Sequence, residues 1–235
     1  MATLYEHGTL AMLMAGKLAG TQTLGELLKH GSYGLGTFDG LDGEVVILDG
    51  EVYQADASGK VNHVTDMQTT LPFASVHFPE NEVPLKVGEN DFASLTSNLT
   101  KSYQLANVFA YVKLDGVLDQ VKIRIAPKQS KPYPGLLEVA KHQPTFEASA
   151  ISGSVVGYYA PDIFGTVTAG GWHLHFISDD RSFSGHILSL STKGLSGKLE
   201  IFDSFEQHLP IENPEFRQMQ VDTASLQAGI EAAEH

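Results

Sequence analysis

The chain has 235 residues, of which 42% are hydrophobic and 18% charged, with a formal net charge of -13 and no cysteine. That length can bury the core of one large or two small domains, and a cysteine-free chain has no disulfides, thiolate metal sites or cysteine nucleophiles. An acidic chain without a basic stripe is a poor partner for nucleic acid. No apolar run approaches the roughly 18 residues of a membrane-spanning helix, and no basic region precedes the apolar residues 10–15, so the chain reads as soluble and cytoplasmic.

The first predicted elements are two short helices, 9–19 and 23–30, the second opened by a capping box of Thr23 and Glu26 and closed by Gly31. Gly34, Gly36, Gly40 and Gly43 then puncture the chain, as in a loop that bends tightly or approaches something closely. Strands 45–48 and 51–55 flank Asp49-Gly50, a strong hairpin signal, and 61–64 and 73–78 continue the β pattern. Residues 90–102 read as a helix capped by Asp91 or Asn90, with Phe92, Leu95 and Leu99 on one stripe. Two strands, 109–114 and 120–125, are expected around an Asp115-Gly116 turn. Pro127, Pro132 and Pro134 then lead to a short helix at 136–141. Strands 146–151, 154–159 and 197–205 surround a hairpin near 170–190, and 223–235 is helical or mobile. The fold class is α/β of the α+β kind: two β-rich domains with mixed sheets and a few helices, 1–135 and 136–235.

In the hairpin, Trp172, Leu174 and Phe176 alternate with His173 and His175, the period-two pattern of a strand with two different faces. A turn centred between Asp180 and Arg181 sets His175 opposite His186, and all three histidines then share one face. Directly opposed Cβ atoms lie about 4.5 to 5.5 Å apart, a spacing that lets three imidazoles converge on one cation. Three protein ligands with an open position is the pattern of catalytic zinc, although iron, copper, nickel or manganese suit the same donors. The plainer alternative is three histidines that only pack or hydrogen-bond.

Two further residues are candidates for chemistry. Glu44 ends a glycine-rich run just before an apolar strand, where a carboxylate serves as ligand, general acid-base or plain strand-end acid. Arg124 alternates with apolar residues beside Lys122 and either clamps an anion or lies on a solvated face. Glu231 and Glu234, taken alone, read as surface charge.

Gly36-Thr37-Phe38, Leu41-Asp42-Gly43-Glu44, Pro132-Tyr133, Gln143-Pro144 and His173-Leu174-His175-Phe176-Ile177-Ser178-Asp179-Asp180-Arg181-Ser182 together resemble the α-acetolactate decarboxylases. The resemblance spans almost the whole chain, departing at Trp172, where the family has tyrosine, and at Ser184-Gly185, where it has two glycines. It implies a two-domain protein, usually a homodimer, with Zn2+ held by His173, His175 and His186 and with Glu44 and Arg124 lining the site. It also implies a glutamate from the C-terminal tail, for which Glu231 is the best match and Glu234 the second. The implied reaction converts an anionic 2-hydroxy-3-keto acid, (S)-2-acetolactate, to (R)-acetoin and carbon dioxide in acetoin and butanediol biosynthesis. Neither thiamine diphosphate nor pyridoxal phosphate is expected. The rivals are a metal-binding module like the plant- and prokaryote-conserved domain of certain DNA-binding proteins, and a cupin-like metal oxygenase or isomerase.

Overall fold

Val45-Val46-Ile47-Leu48 is a continuous apolar run instead of an alternation, as expected of a strand whose sheet is covered on both faces. The computed structural model describes residues 1–221 together with Leu226 and Gly229. In chain order the elements are β1 (Thr3–His7), α1 (Leu10–Met14), β2 (Gln22–Thr23), α2 (Leu24–Leu27), β3 (Tyr33–Phe38), β4 (Asp42–Leu48), β5 (Glu51–Ala55), β6 (Val61–His63), β7 (Thr70–Leu71) and β8 (Phe73–His77). They are followed by β9 (Val83–Val87), β10 (Asn90–Asp91), α3 (Phe92–Ser102), β11 (Ala110–Arg124), α4 (Leu136–Ala140), β12 (Thr145–Ala160), β13 (Gly171–Ser178), β14 (Ser184–Thr192), β15 (Leu195–Ile201), β16 (Ser204–His208) and α5 (Pro214–Gln218). No helix among the described residues is long and apolar enough to cross a membrane.

Two seven-stranded sheets result. The first runs β16-β1-β8-β3-β4-β5-β6 and is mixed, because β16 joins β1 in parallel while the other neighbours are antiparallel. The second runs β10-β14-β13-β12-β11-β15-β9. There β14 also pairs with β11, so β11, β12, β13 and β14 close into a ring. Along β4, Val46 and Leu48 face the second sheet, where they meet Tyr111, Val156 and Ile177. Val45 and Ile47 point the other way, onto Leu24 and Leu27 of α2. On the far side of the second sheet, Leu95 and Leu99 of α3 pack on Leu174 and Phe176. The order is therefore helix, sheet, sheet, helix, and each fully buried Leu, Ile or Phe contributes roughly 1.5–3 kcal/mol. A further cluster of α1, α4, Leu41, Phe73 and Leu226 covers one end of the sheet interface.

Several sequence expectations change. The two N-terminal helices are shorter than 9–19 and 23–30. Thr9 caps α1 as a helix start does, but Gly16 takes φ +71 and lies so near Tyr133 that a Cβ would sit 2.9 Å from its carbonyl oxygen. Gly34 and Gly36 belong to strand β3, not a loop; Cβ atoms there would meet Ser75 O at 2.5 Å and the Ala74 Cβ at 2.8 Å, so glycine serves close packing on β8. Asp115-Gly116 makes no turn. β11 runs straight through it because β12, one residue longer, pairs on both sides, Asp115 with Ser154 and Gly116 with Gly153. Strands β1 and β9 are additional to the sequence reading. The change of sheet falls between His77 and Val83, and β16 returns to the first sheet.

Candidate active site

The alternation of β13 turns Leu174 and Phe176 toward α3 and His173 and His175 toward the first sheet. The hairpin register is the one the sequence implies: His175 pairs with His186, Phe176 with Gly185 and Ile177 with Ser184. At the turn, Ser178 Oγ accepts hydrogen bonds from the Ser182 and Phe183 amides at 3.1 and 3.0 Å, fixing where the chain reverses. One ligand atom from each of His173, His175 and His186 lies within 4.8 Å of the others. The Nε2 atoms of His173 and His175 are 3.1 Å apart.

His175 is the deepest of the three. Burial, then the neighbouring His173 and the Arg124 guanidinium, hold its pKa well below the ordinary imidazole value, so the ring is neutral and its nitrogen is available as a donor. Zinc–nitrogen bonds of about 2.0–2.1 Å at tetrahedral angles put nitrogens roughly 3.3 Å apart. His173 and His175 are already at about that spacing, and a donor atom of His186 lies within 4.8 Å of both, so the three imidazoles suit such an ion.

Arg124 and Glu44 meet the histidines from two directions. Arg124 ends β11 opposite His186 on β14, and its Nη2 is 3.4 Å from His186 Nε2. An irregularity between Lys122 and Ile123 changes the register, and Lys122 pairs with Glu147 at 3.0 Å while Arg124 lines the central cavity. Glu44 comes from β4 of the first sheet. Its Oε1 accepts a hydrogen bond from the Ala126 amide at 3.1 Å, and its Oε2 is 3.5 Å from His175 Nε2. The turn that delivers it needs left-handed backbone, with Leu41 at φ 57 and Gly43 at φ 79; a Cβ on Gly43 would lie 2.2 Å from Ala55 O. Thr37 Oγ1 donates to Gly43 O at 2.8 Å and secures that turn.

These groups open on a cavity of about 70 Å³ between the sheets, lined by His173, His186, Glu44 and Arg124 together with Leu10, Leu13 and Leu136 of α1 and α4. That is room for several waters or a small organic acid. Sequence reasoning missed Glu6, Ser75, Tyr158 and Thr168, which line the same cavity. Glu6 is fully buried, and burial pushes its carboxyl up to about 8 even though the Thr168 and Ser75 hydroxyls hydrogen-bond to it. Its one sequence signal is an acid among residues that fold as a buried strand. Glu231 and Glu234 lie outside the described residues, although Leu226 is buried beside Leu10, Leu13 and Leu136.

The model of the alpha-acetolactate decarboxylase family matches residues 4–223. A protein named alpha-acetolactate decarboxylase from Lactococcus lactis subsp. cremoris is 34% identical over 98% of both chains, and one from Brevibacillus brevis is 36% identical over 88% of this chain and 73% of its own length. Among solved structures, the alpha-acetolactate decarboxylase of Bacillus subtilis strain 168 superposes with a TM-score of 0.94 at 27% identity over 99% of each chain. A Staphylococcus aureus protein described as similar to alpha-acetolactate decarboxylase gives 0.94 at 32% identity, over 99% of this chain and all of its own. A match over nearly the full length, joined to this arrangement of side chains, means that the chain belongs to the alpha-acetolactate decarboxylase family, a family of carboxy-lyases.

Proposed function

We propose that this protein decarboxylates (S)-2-acetolactate to (R)-acetoin with the help of zinc held by His173, His175 and His186. The observation that supports this best is the clustering of three histidines, of which His173 and His186 line one small cavity together with Arg124 and Glu44. When bound, zinc supplies a Lewis acid for the negative charge that develops on the substrate oxygens. The bond between C1 and C2 breaks, carbon dioxide leaves, and the electron pair moves toward the C3 ketone, so no organic electron sink is required. A proton then returns to C2.

Arg124 binds the carboxylate and offsets the acidity of the whole chain, whose net charge of -13 disfavours an anion at long range. Glu44 has one oxygen anchored by the Ala126 amide and the other turned to the histidines, which suits it to deliver the C2 proton to one face and so to give a single enantiomer. Glu231 is proposed as the tail residue of the site, on the family resemblance and on the burial of Leu226 beside the cavity. A homodimer in the cytoplasm, serving acetoin and butanediol formation, completes the reading. The full-length family match disfavours both the DNA-binding-type module and the cupin-like enzyme.

The test is racemic acetolactate given to the purified, zinc-loaded protein, with acetoin quantified on a chiral column and zinc by elemental analysis. Acetoin formation at about one zinc per chain is expected. Stoichiometric zinc without acetoin would overturn the reading.

A further inference from the structure

Glu6 is a carboxyl group with 0% exposure that lines the same cavity as the histidines yet lies away from them across the first sheet. It sits on β1 in register with Ser75 of β8, β8 pairs with β3, and β3 pairs with Glu44's strand β4. That is three strand spacings, about 14 Å. Ser75 Oγ donates to Glu6 Oε2 at 2.9 Å, while Oε1 is buried without a hydrogen bond of normal geometry. No lysine or arginine among the described residues pairs with Glu6; its polar neighbours are the neutral hydroxyls of Thr168 and Ser75, and Leu4 and Leu35 line the same cavity. A carboxyl group in such a place is costly unless something it meets in the cavity shares its hydrogen bonds.

We propose that Glu6 is a specificity-determining residue: it hydrogen-bonds a hydroxyl on the distal arm of the substrate, so the cavity prefers 2-hydroxy-3-oxo acids with a hydroxylated arm to those with a hydrocarbon arm of equal length. This rests on the decarboxylase reading and extends it to the part of the cavity lined by Glu6. With its pKa pushed up to about 8, Glu6 is largely protonated at neutral pH and both donates and accepts. A site built to satisfy a substrate hydroxyl rejects the analogue that lacks it, because its own polar group is then left unpaired.

The experiment compares kcat/KM for two acetolactate homologues, one carrying 5-hydroxypentyl and the other hexyl at C2, with acetolactate as the reference. Wild type is expected to favour the hydroxylated arm by about 10-fold, one good hydrogen bond's worth. Glu6→Gln should keep most of that preference, and Glu6→Leu should erase or invert it. Glu6→Met, close in length and also without a hydrogen-bonding group, keeps the test decisive where Glu6→Leu does not fold. An unchanged ratio in the folded apolar variant, or no preference in wild type, overturns the role of Glu6 alone. Inactivity of wild type on all three keto acids instead overturns the decarboxylase reading and this inference with it.

Discussion

At the scale of single residues, the hairpin histidines are expected to be indispensable for the metal and dispensable for the fold. His175→Ala or His186→Ala should weaken zinc binding by more than about 100-fold and abolish activity, since losing a ligand costs more than losing one of its supporting partners; zinc titration and circular dichroism check both halves. Arg124→Lys keeps the charge but loses the planar fork, and kcat/KM should fall about 10- to 100-fold with zinc content unchanged. Glu44→Gln should keep zinc yet slow turnover about 100- to 10,000-fold and erode the enantiomeric purity of the acetoin; purity and zinc are measured on one preparation. The histidines, Glu44 and Arg124 were legible because each stands out from a local pattern: an alternation, a glycine run, a strand. Glu6 was not. Its strand reads Leu4-Tyr5-Glu6-His7, and the polar Glu6 and His7 there hide a segment buried by partners far apart in sequence, with β8 and β16 beside it and the second sheet and α2 against its faces.

At the scale of elements, short-range chemistry was readable and long-range pairing was not. The Asp49-Gly50 hairpin and the Asp91 cap of α3 are local, and both occur where the sequence indicates. Asp115-Gly116 carries an equally good turn signal, and 14 residue pairs with β12 override it. The same close pairing makes one glycine of β12 critical to the site. A Cβ on Gly157 would lie 2.0 Å from His173 O, so Gly157→Ala should push β13 off β12, cost about 1–3 kcal/mol and weaken zinc binding as well. Gly50→Ala is the contrast: nothing lies within 4 Å of its added Cβ, and only its φ of +81 is strained, so stability should fall while zinc affinity holds. Melting temperature and zinc titration on both variants separate the two effects.

Across the whole molecule, buried ionisable groups shape the dependence of stability on pH. The Glu6 pKa is raised by burial to about 8, so its contribution is complete below its unfolded value near 4.5 and is lost as pH climbs toward 8. Burial lowers His77 to about 3, and burial followed by His208 lowers His7 to about 4; their contributions are complete above the unfolded value near 6.5 and are lost as pH falls. Stability should therefore peak in mildly acidic solution, and Glu6→Gln should flatten the alkaline limb while leaving the acidic one, as urea unfolding at a series of pH values would show. The two-sheet architecture itself could be anticipated only in outline, because its sheets are assembled from strands far apart in sequence: β16 returns to lie beside β1. The ring of β11 to β14 carries this furthest. His186 is in register with His175 eleven residues away and with Arg124 sixty-two residues away, so it belongs to two ladders at once. Neither ladder alone completes the site. During biosynthesis the hairpin emerges late and must dock on a strand made long before, so His186 meets Arg124 only after most of the chain has been made, and the candidate site is among the last parts of the molecule to assemble.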